Sequence, residues 1–230
     1  MAWFTSEFET FFSELKENNN KEWFAENKPR YEKHVKKPFE LFIGDMILRM
    51  QAYDPQCQIQ PKDAIFRIYR DVRFSKDKSP YNPRWAGGFN RQKPHLRGGY
   101  YFHLKPGETV VGGGFYGPAA EDLRLIRNQI AQDDQPLRAV LNDPSFKKVF
   151  GELQGDQVKT APKGFDKEHP AIDLLRYKSL YVFRKFSDKE VLSTNFMKEA
   201  LGTFIALRPF FDVMTEMLTT DLNGLSLVEK

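Results

Sequence analysis

Phe4, Phe8, Phe11 and Leu15 recur at intervals of four, three and four residues, the apolar stripe of an amphipathic helix. Asn18-Asn19-Asn20 interrupts it. Asn19, with Glu22 three residues later, makes a capping box that opens a second helix at Lys21. Tyr31, Val35, Phe39, Phe42, Met46 and Met50 carry a helical stripe onward, with Pro29 and Pro38 starting or kinking helices where they fall. The pattern predicts a helical region over residues 1–55.

The period then changes to two. Residues 64–74 read as a strand, with Phe66, Ile68, Val72 and Phe74 on one face and Arg67, Tyr69, Asp71 and Arg73 on the other. Residues 84–90, 99–105 and 108–116 read as three more strands, the last two joined by the turn dipeptide Pro106-Gly107. This predicts a sheet core over 64–116. Helices from Pro118, a loop at 154–169, a short helix at 170–176 and a strand at 180–186 complete the region 118–186. A last helix over 193–220 carries Phe196, Ala200, Phe204, Leu207, Phe211, Met214 and Leu218 on one stripe, kinked at Pro209. Helices at both ends of a run of strands indicate an α+β fold: a central, mostly antiparallel sheet of about five strands packed by N-terminal and C-terminal helices. No repeat or linker divides the chain, so a single domain over 1–230 is expected.

Composition narrows the class. An apolar fraction of 40% with 21 Phe residues implies a core of large rings without covalent staples. The one cysteine, Cys57, forms no internal disulfide, and a cytoplasmic location is expected. No secretory pattern opens the chain and no apolar run is long enough for a membrane span. His34, His95, His103 and His169 lack ligand spacing, so neither a metal nor a cofactor is expected. Gly112-Gly113-Gly114-Phe115-Tyr116-Gly117 matches the spelling of a dinucleotide fingerprint. A helical segment follows it where the fingerprint requires a parallel strand. Glycines there serve instead for a bulge or a close backbone approach.

Charge marks one place. Residues 67–84 hold six of the 35 bases (Arg67, Arg70, Arg73, Lys76, Lys78, Arg84) against two of the 31 acids (Asp71, Asp77). That leaves 29 of each elsewhere, so the whole net charge of +4 resides in this segment. A neutral body with one basic stretch fits a local anion site. Arg67, Tyr69, Asp71 and Arg73 form the candidate clamp, because guanidinium forks bind phosphate and carboxylate in pairs of hydrogen bonds. Lys76, Lys78 and Tyr81 supply the adjoining loop. Arg70 falls on the apolar side and requires a buried acidic or carbonyl partner. The competing reading is a solvated face on which arginines merely hold Asp71. Tyr101, His103 and Lys105 alternate onto one face of their strand, where His103 is a candidate acid, base or donor. Lys163 and His169 sit in the charged loop before the short helix.

Asn18-Asn19-Asn20-Lys21-Glu22-Trp23-Phe24, the block from Arg67 through Arg70-Asp71-Val72-Arg73-Phe74-Ser75-Lys76-Asp77-Lys78-Ser79-Pro80-Tyr81, Gly99-Tyr100-Tyr101, Gly112-Gly113-Gly114, Pro162-Lys163-Gly164-Phe165 and His169-Pro170 occur in that order. The series resembles the family labelled domain of unknown function 2461, over nearly the whole chain. The resemblance implies a single-domain protein and carries over no catalytic residue.

Three functions remain open at this stage. One is a domain binding a phosphate- or carboxylate-bearing small molecule at residues 67–84. Another is an enzyme acting on a phosphorylated or nucleotide-like substrate, with His103 or Tyr69 in proton transfer. The last is a nucleic-acid or protein-interaction module, disfavoured by the lack of basic excess outside the segment. A membrane partner is not expected, and oligomeric state is not legible.

Overall fold

The computed structural model describes residues 2–91 and 98–228, so His95 lies outside the described residues. The first stripe folds as expected into helix α1 (Ser6–Glu17), burying Phe8, Phe11, Phe12 and Leu15. Helix α2 (Lys21–Tyr31) is capped by Asn20, whose side chain accepts from the Trp23 N–H. No capping box forms at Asn19, whose amide is engaged instead with the backbone of Tyr81. Pro29 lies inside α2, and a π-turn over Glu32–Lys36 follows before α3 (Lys37–Gln51), which holds Pro38 in its first turn. One turn of helix, α4 (Pro61–Ala64), leads towards the sheet.

Strands β1 (Trp85–Asn90), β2 (Gly99–Leu104), β3 (Thr109–Phe115) and β4 (Leu180–Phe186) form an antiparallel sheet in the order β1-β2-β3-β4. Between β3 and β4 run α5 (Ala120–Gln132), α6 (Gln135–Asn142), α7 (Pro144–Phe150) and α8 (Ile172–Leu175). Helix α5 begins at Ala120, two residues beyond the expected Pro118. After β4 come α9 (Asp188–Val191), α10 (Phe196–Ala206) and α11 (Arg208–Thr219). The single kinked helix expected at the end is thus two helices. Pro209 occupies the first turn of α11, where a missing N–H costs nothing.

The fold class is α+β as expected, with four strands among the described residues where about five were predicted. The missing strand is residues 64–74, which keep only isolated bridges to their neighbours.

The chain groups into two compact units interleaved along the sequence: Met1–Phe89, Tyr101–Val111 and Lys185–Gly202 form one, and Asn90–Tyr100, Gly112–Arg184 and Thr203–Lys230 the other. Several of these boundaries fall inside strands, which leaves no linker for composition to reveal. In the first unit Phe102 of β2 is stacked between Phe39 at 5.4 Å and Phe89 at 5.6 Å. Phe4, Phe42 and Phe196 extend this ring cluster. In the second unit Tyr100 meets Phe204 and Phe211 edge-on. The pleat of β2 buries Tyr100, Phe102 and Leu104 and turns Tyr101 and His103 to the other face.

The glycine run of β3 answers to packing. A Cβ at Gly112 would stand 2.1 Å from the Val182 carbonyl oxygen, and one at Gly113 would stand 2.4 Å from that of Gly99. Both obstacles are backbone and cannot swing aside. Gly202, on α10, has nothing within 4 Å of the equivalent position. Gly112→Ala is therefore expected to destabilise the protein by about 3 kcal/mol or more through overpacking, while Gly202→Ala stabilises it by about 0.5–1 kcal/mol through helix propensity. Urea denaturation of the two variants checks the opposite signs.

Candidate functional site

The basic segment belongs to the first unit. Ile65 bridges Gly87, and the Phe66 N–H donates to the Ala86 carbonyl. Further on, Tyr69 bridges Tyr81, the Arg70 N–H donates to the Pro80 carbonyl, and the Asn82 N–H donates to that of Ile68. Two bridged stretches thus face each other, and they close the loop 71–79. They do not merge into a ladder, because the partner stretch carries Pro80 and Pro83, which have no N–H to give. This corrects the expected strand at 64–74. Its apolar face is also broken: Ile68 is buried, but Phe66 and Phe74 are exposed.

Asn19 fixes the base of the loop. Its side-chain amide donates to the Tyr81 carbonyl at 2.9 Å and accepts from the Tyr81 N–H at 3.0 Å. Tyr81, expected on the ligand side, is instead buried with its ring stacked on Phe24 at 4.1 Å. It anchors the loop to the core.

Within the loop, aspartates organise the chain in place of a ladder. Asp77 accepts from the Ser79 N–H and hydroxyl and pairs with Arg70. These bonds hold its carboxyl down at about 2, the Ser79 hydroxyl contributing most. Arg70 also donates to the Ser79 carbonyl, so it has acidic and carbonyl partners, but Asp77 is exposed and not the buried acid expected. Asp71 accepts from the Arg73 N–H and holds its guanidinium at 2.7 Å, which lowers the Asp71 pKa. That pair is the arrangement in which an arginine merely holds Asp71. Lys78 donates to the Val72 carbonyl.

A second group of side chains meets the ends of the segment. Tyr101, on the outward face of β2, has its ring 6.1 Å from that of Phe66. Its hydroxyl lies 3.2 Å from Nδ1 of His103, whose Nε2 lies 2.8 Å from the Glu108 carbonyl. A carbonyl only accepts, so Nε2 carries the proton and Nδ1 accepts from the phenol. Burial, with Arg84 and Lys105 nearby, lowers the His103 pKa to about 4. His103 is consequently a neutral residue that orients Tyr101. Lys105 is paired with Glu108 at 2.7 Å.

Of the candidate clamp, Arg67 and Tyr69 are exposed and Asp71 and Arg73 are paired with each other. Among the described residues Arg67, Lys76 and Arg84 make no ion pair or hydrogen bond. Lys163 lies in the second unit on an exposed turn ending at Gly164, with a φ of +92°. His169, in the same unit, accepts from the Ala171 N–H and serves local structure. Residues not placed in the candidate site from the sequence are Asn19 and Asp77, which shape the loop, and Phe66, Phe74 and Arg84, which face outward. The signal for Arg84 was present in the charge count; that for Phe74 was hidden by its assignment to an apolar face. A cleft of about 500 Å³ in the first unit, lined by Gln51, Pro55, Gln58, Ile59 and Gln60, presents no ionisable side chain.

His103 binds its proton more weakly folded than unfolded, where its pKa is near 6.5. Its contribution to stability is therefore complete above pH 6.5 and is lost as pH falls towards 4. Melting temperature should decline across that window, and His103→Gln should flatten the decline between pH 6.5 and 5. Asn19→Ala removes two hydrogen bonds at a part-buried backbone and should cost about 2 kcal/mol, with faster proteolysis inside 71–79. Chemical denaturation and limited proteolysis read the two effects.

No curated protein and no solved structure matches the chain. Residues 7–212 match the family described as "Conserved hypothetical protein (DUF2461)". That span takes in the Asn19 clamp, the basic loop and the Tyr101–His103 pair, as well as most of both compact units, and the chain therefore belongs to the DUF2461 family.

Proposed function

We propose that the protein binds a phosphate- or carboxylate-bearing ligand on the exposed surface formed by the basic segment. The observation that carries this reading is how the charge is divided. Two of the six cations, Arg70 and Arg73, are matched by Asp77 and Asp71. Arg67, Lys76, Lys78 and Arg84 have no carboxylate partner among the described residues, and together they make up the net +4. Arg67 and Arg84 lie on facing stretches of chain between the bridges at Ile65 and Tyr69. The loop is pre-shaped by its aspartates and Asn19, so ordering on binding costs little. Neutral His103 enters as the group that fixes the Tyr101 hydroxyl, not as a proton source.

Thermal shift with pyrophosphate, AMP and citrate tests the reading. A ligand at a hundred times its Kd adds about 2.7 kcal/mol of stability, which raises the melting temperature by roughly 5–10 °C for a chain of this size. The Arg67→Ala/Arg84→Ala double variant should weaken binding at least about tenfold, a loss of ~1.4 kcal/mol. No shift with any anion, or equal shifts in the double variant, sinks it.

A further inference from the structure

Phe74 is 96% exposed at the tip of the loop 71–79. Covering a ring of that size removes a large apolar surface from water, and the loop around it is not loose: Asp71 holds Arg73 on one side, and Asp77 holds Arg70 and Ser79 on the other. The chain therefore holds an apolar ring in solvent by construction. Phe66 and Tyr69 are likewise 49% and 57% exposed. Each ring has a cation beside it in sequence: Phe66 next to Arg67, Tyr69 next to Arg70, Phe74 next to Arg73 and two residues from Lys76. The Arg73 guanidinium stands 5.9 Å from the centre of the Phe74 ring.

We infer that the anionic ligand is a short stretch of single-stranded nucleic acid, with bases stacked on the exposed rings and phosphates on the unmatched cations. This rests on the anion-binding reading above and narrows it. A small anion has no use for three exposed rings. A duplex keeps its base faces inside its own stack and offers the rings nothing, whereas a single strand offers a π-face at every base. A bilayer suits Phe74 but offers no π-face on which the half-exposed Phe66 and Tyr69 can stack. Confinement of the charge to one segment limits contact to a few nucleotides. With phosphates at Arg67, Lys76 and Arg84, the slope of log affinity against log salt should be about −2, since each phosphate on a single strand contributes roughly −0.7.

Fluorescence anisotropy with the full chain and labelled oligo-dT and oligo-U of about 12 nucleotides, within the range such sites span, gives the test. A matched DNA duplex and phosphatidylserine–phosphatidylcholine vesicles serve as competing partners. Binding of either single strand with a slope near −2, weakened about tenfold in Phe74→Ala, a loss equivalent to one stacked base, supports the inference. Phe74 is exposed, so this variant leaves the fold intact. Lys76→Ala/Arg84→Ala should flatten the slope by about 1.4. Equal binding of duplex, preference for vesicles, or indifference to Phe74→Ala overturns it. If pyrophosphate or AMP still stabilises the protein while neither oligonucleotide binds, only this inference falls. If neither small anions nor oligonucleotides bind, the anion-site reading falls with it.

Discussion

Phe102 sets the geometry on which the candidate site rests. Its ring lies in a stack with Phe39 from α3 and Phe89 from β1, so its position on the buried face of β2 is not negotiable. Because neighbouring side chains on a strand point to opposite faces, Tyr101 and His103 are committed to the outward face. A slip of one residue would bring the phenol and imidazole inside and expel Phe102. The same constraint places His103 Nε2 against the Glu108 carbonyl and thereby selects its tautomer. A core of rings thus decides the protonation of a surface histidine. Truncating Phe102 to Ala belongs to the class of changes costing about 3–5 kcal/mol.

The basic segment obeys a different logic, in which secondary structure is withheld. Pro80 and Pro83 deny it a continuous ladder, and the N–H groups left over are taken up by Asp71 and Asp77 through short-range turns. Asn19 contributes from the far end of the first unit's sequence by holding the Tyr81 backbone in both directions. Tyr81 then locks the base of the loop through its stack on Phe24. Carboxylate bonds of this exposed kind contribute little to global stability. They shape a loop.

The helices and four strands were legible in the sequence because their periodicities agree with burial, as Leu180–Phe186 and the stripe of α1 show. The glycine run was legible too: the helical segment that follows it argued against a nucleotide fingerprint, and the backbone contacts at Gly112 and Gly113 give the packing cause. Residues 64–74 misled because alternation records side-chain polarity alone. Whether a strand forms there depends on its partner's N–H groups, and that partner, containing Pro80 and Pro83, lies further along the chain. The pairing of Asn19 with Tyr81 spans 62 residues and leaves no periodic trace. The location of the charge was legible; the division of labour within it was not, since Arg70 and Arg73 differ from Arg67 and Arg84 only in forming an ion pair with a carboxylate.

That division bears most directly on function. Counted along the sequence, the six cations of residues 67–84 are equivalent. In three dimensions the two acids of the segment are consumed by two arginines, one at the base of the loop and one at its tip. The acids therefore do not dilute the surface charge evenly; they neutralise the cations that build the loop and leave the others facing water. A solvated, self-compensating face would have spread six bases among the chain's remaining acids, and among the described residues Arg67, Lys76 and Arg84 find none. Charge left unmatched on a pre-shaped loop, with exposed rings interleaved, is the arrangement from which an anion carrying flat apolar groups is proposed as the ligand.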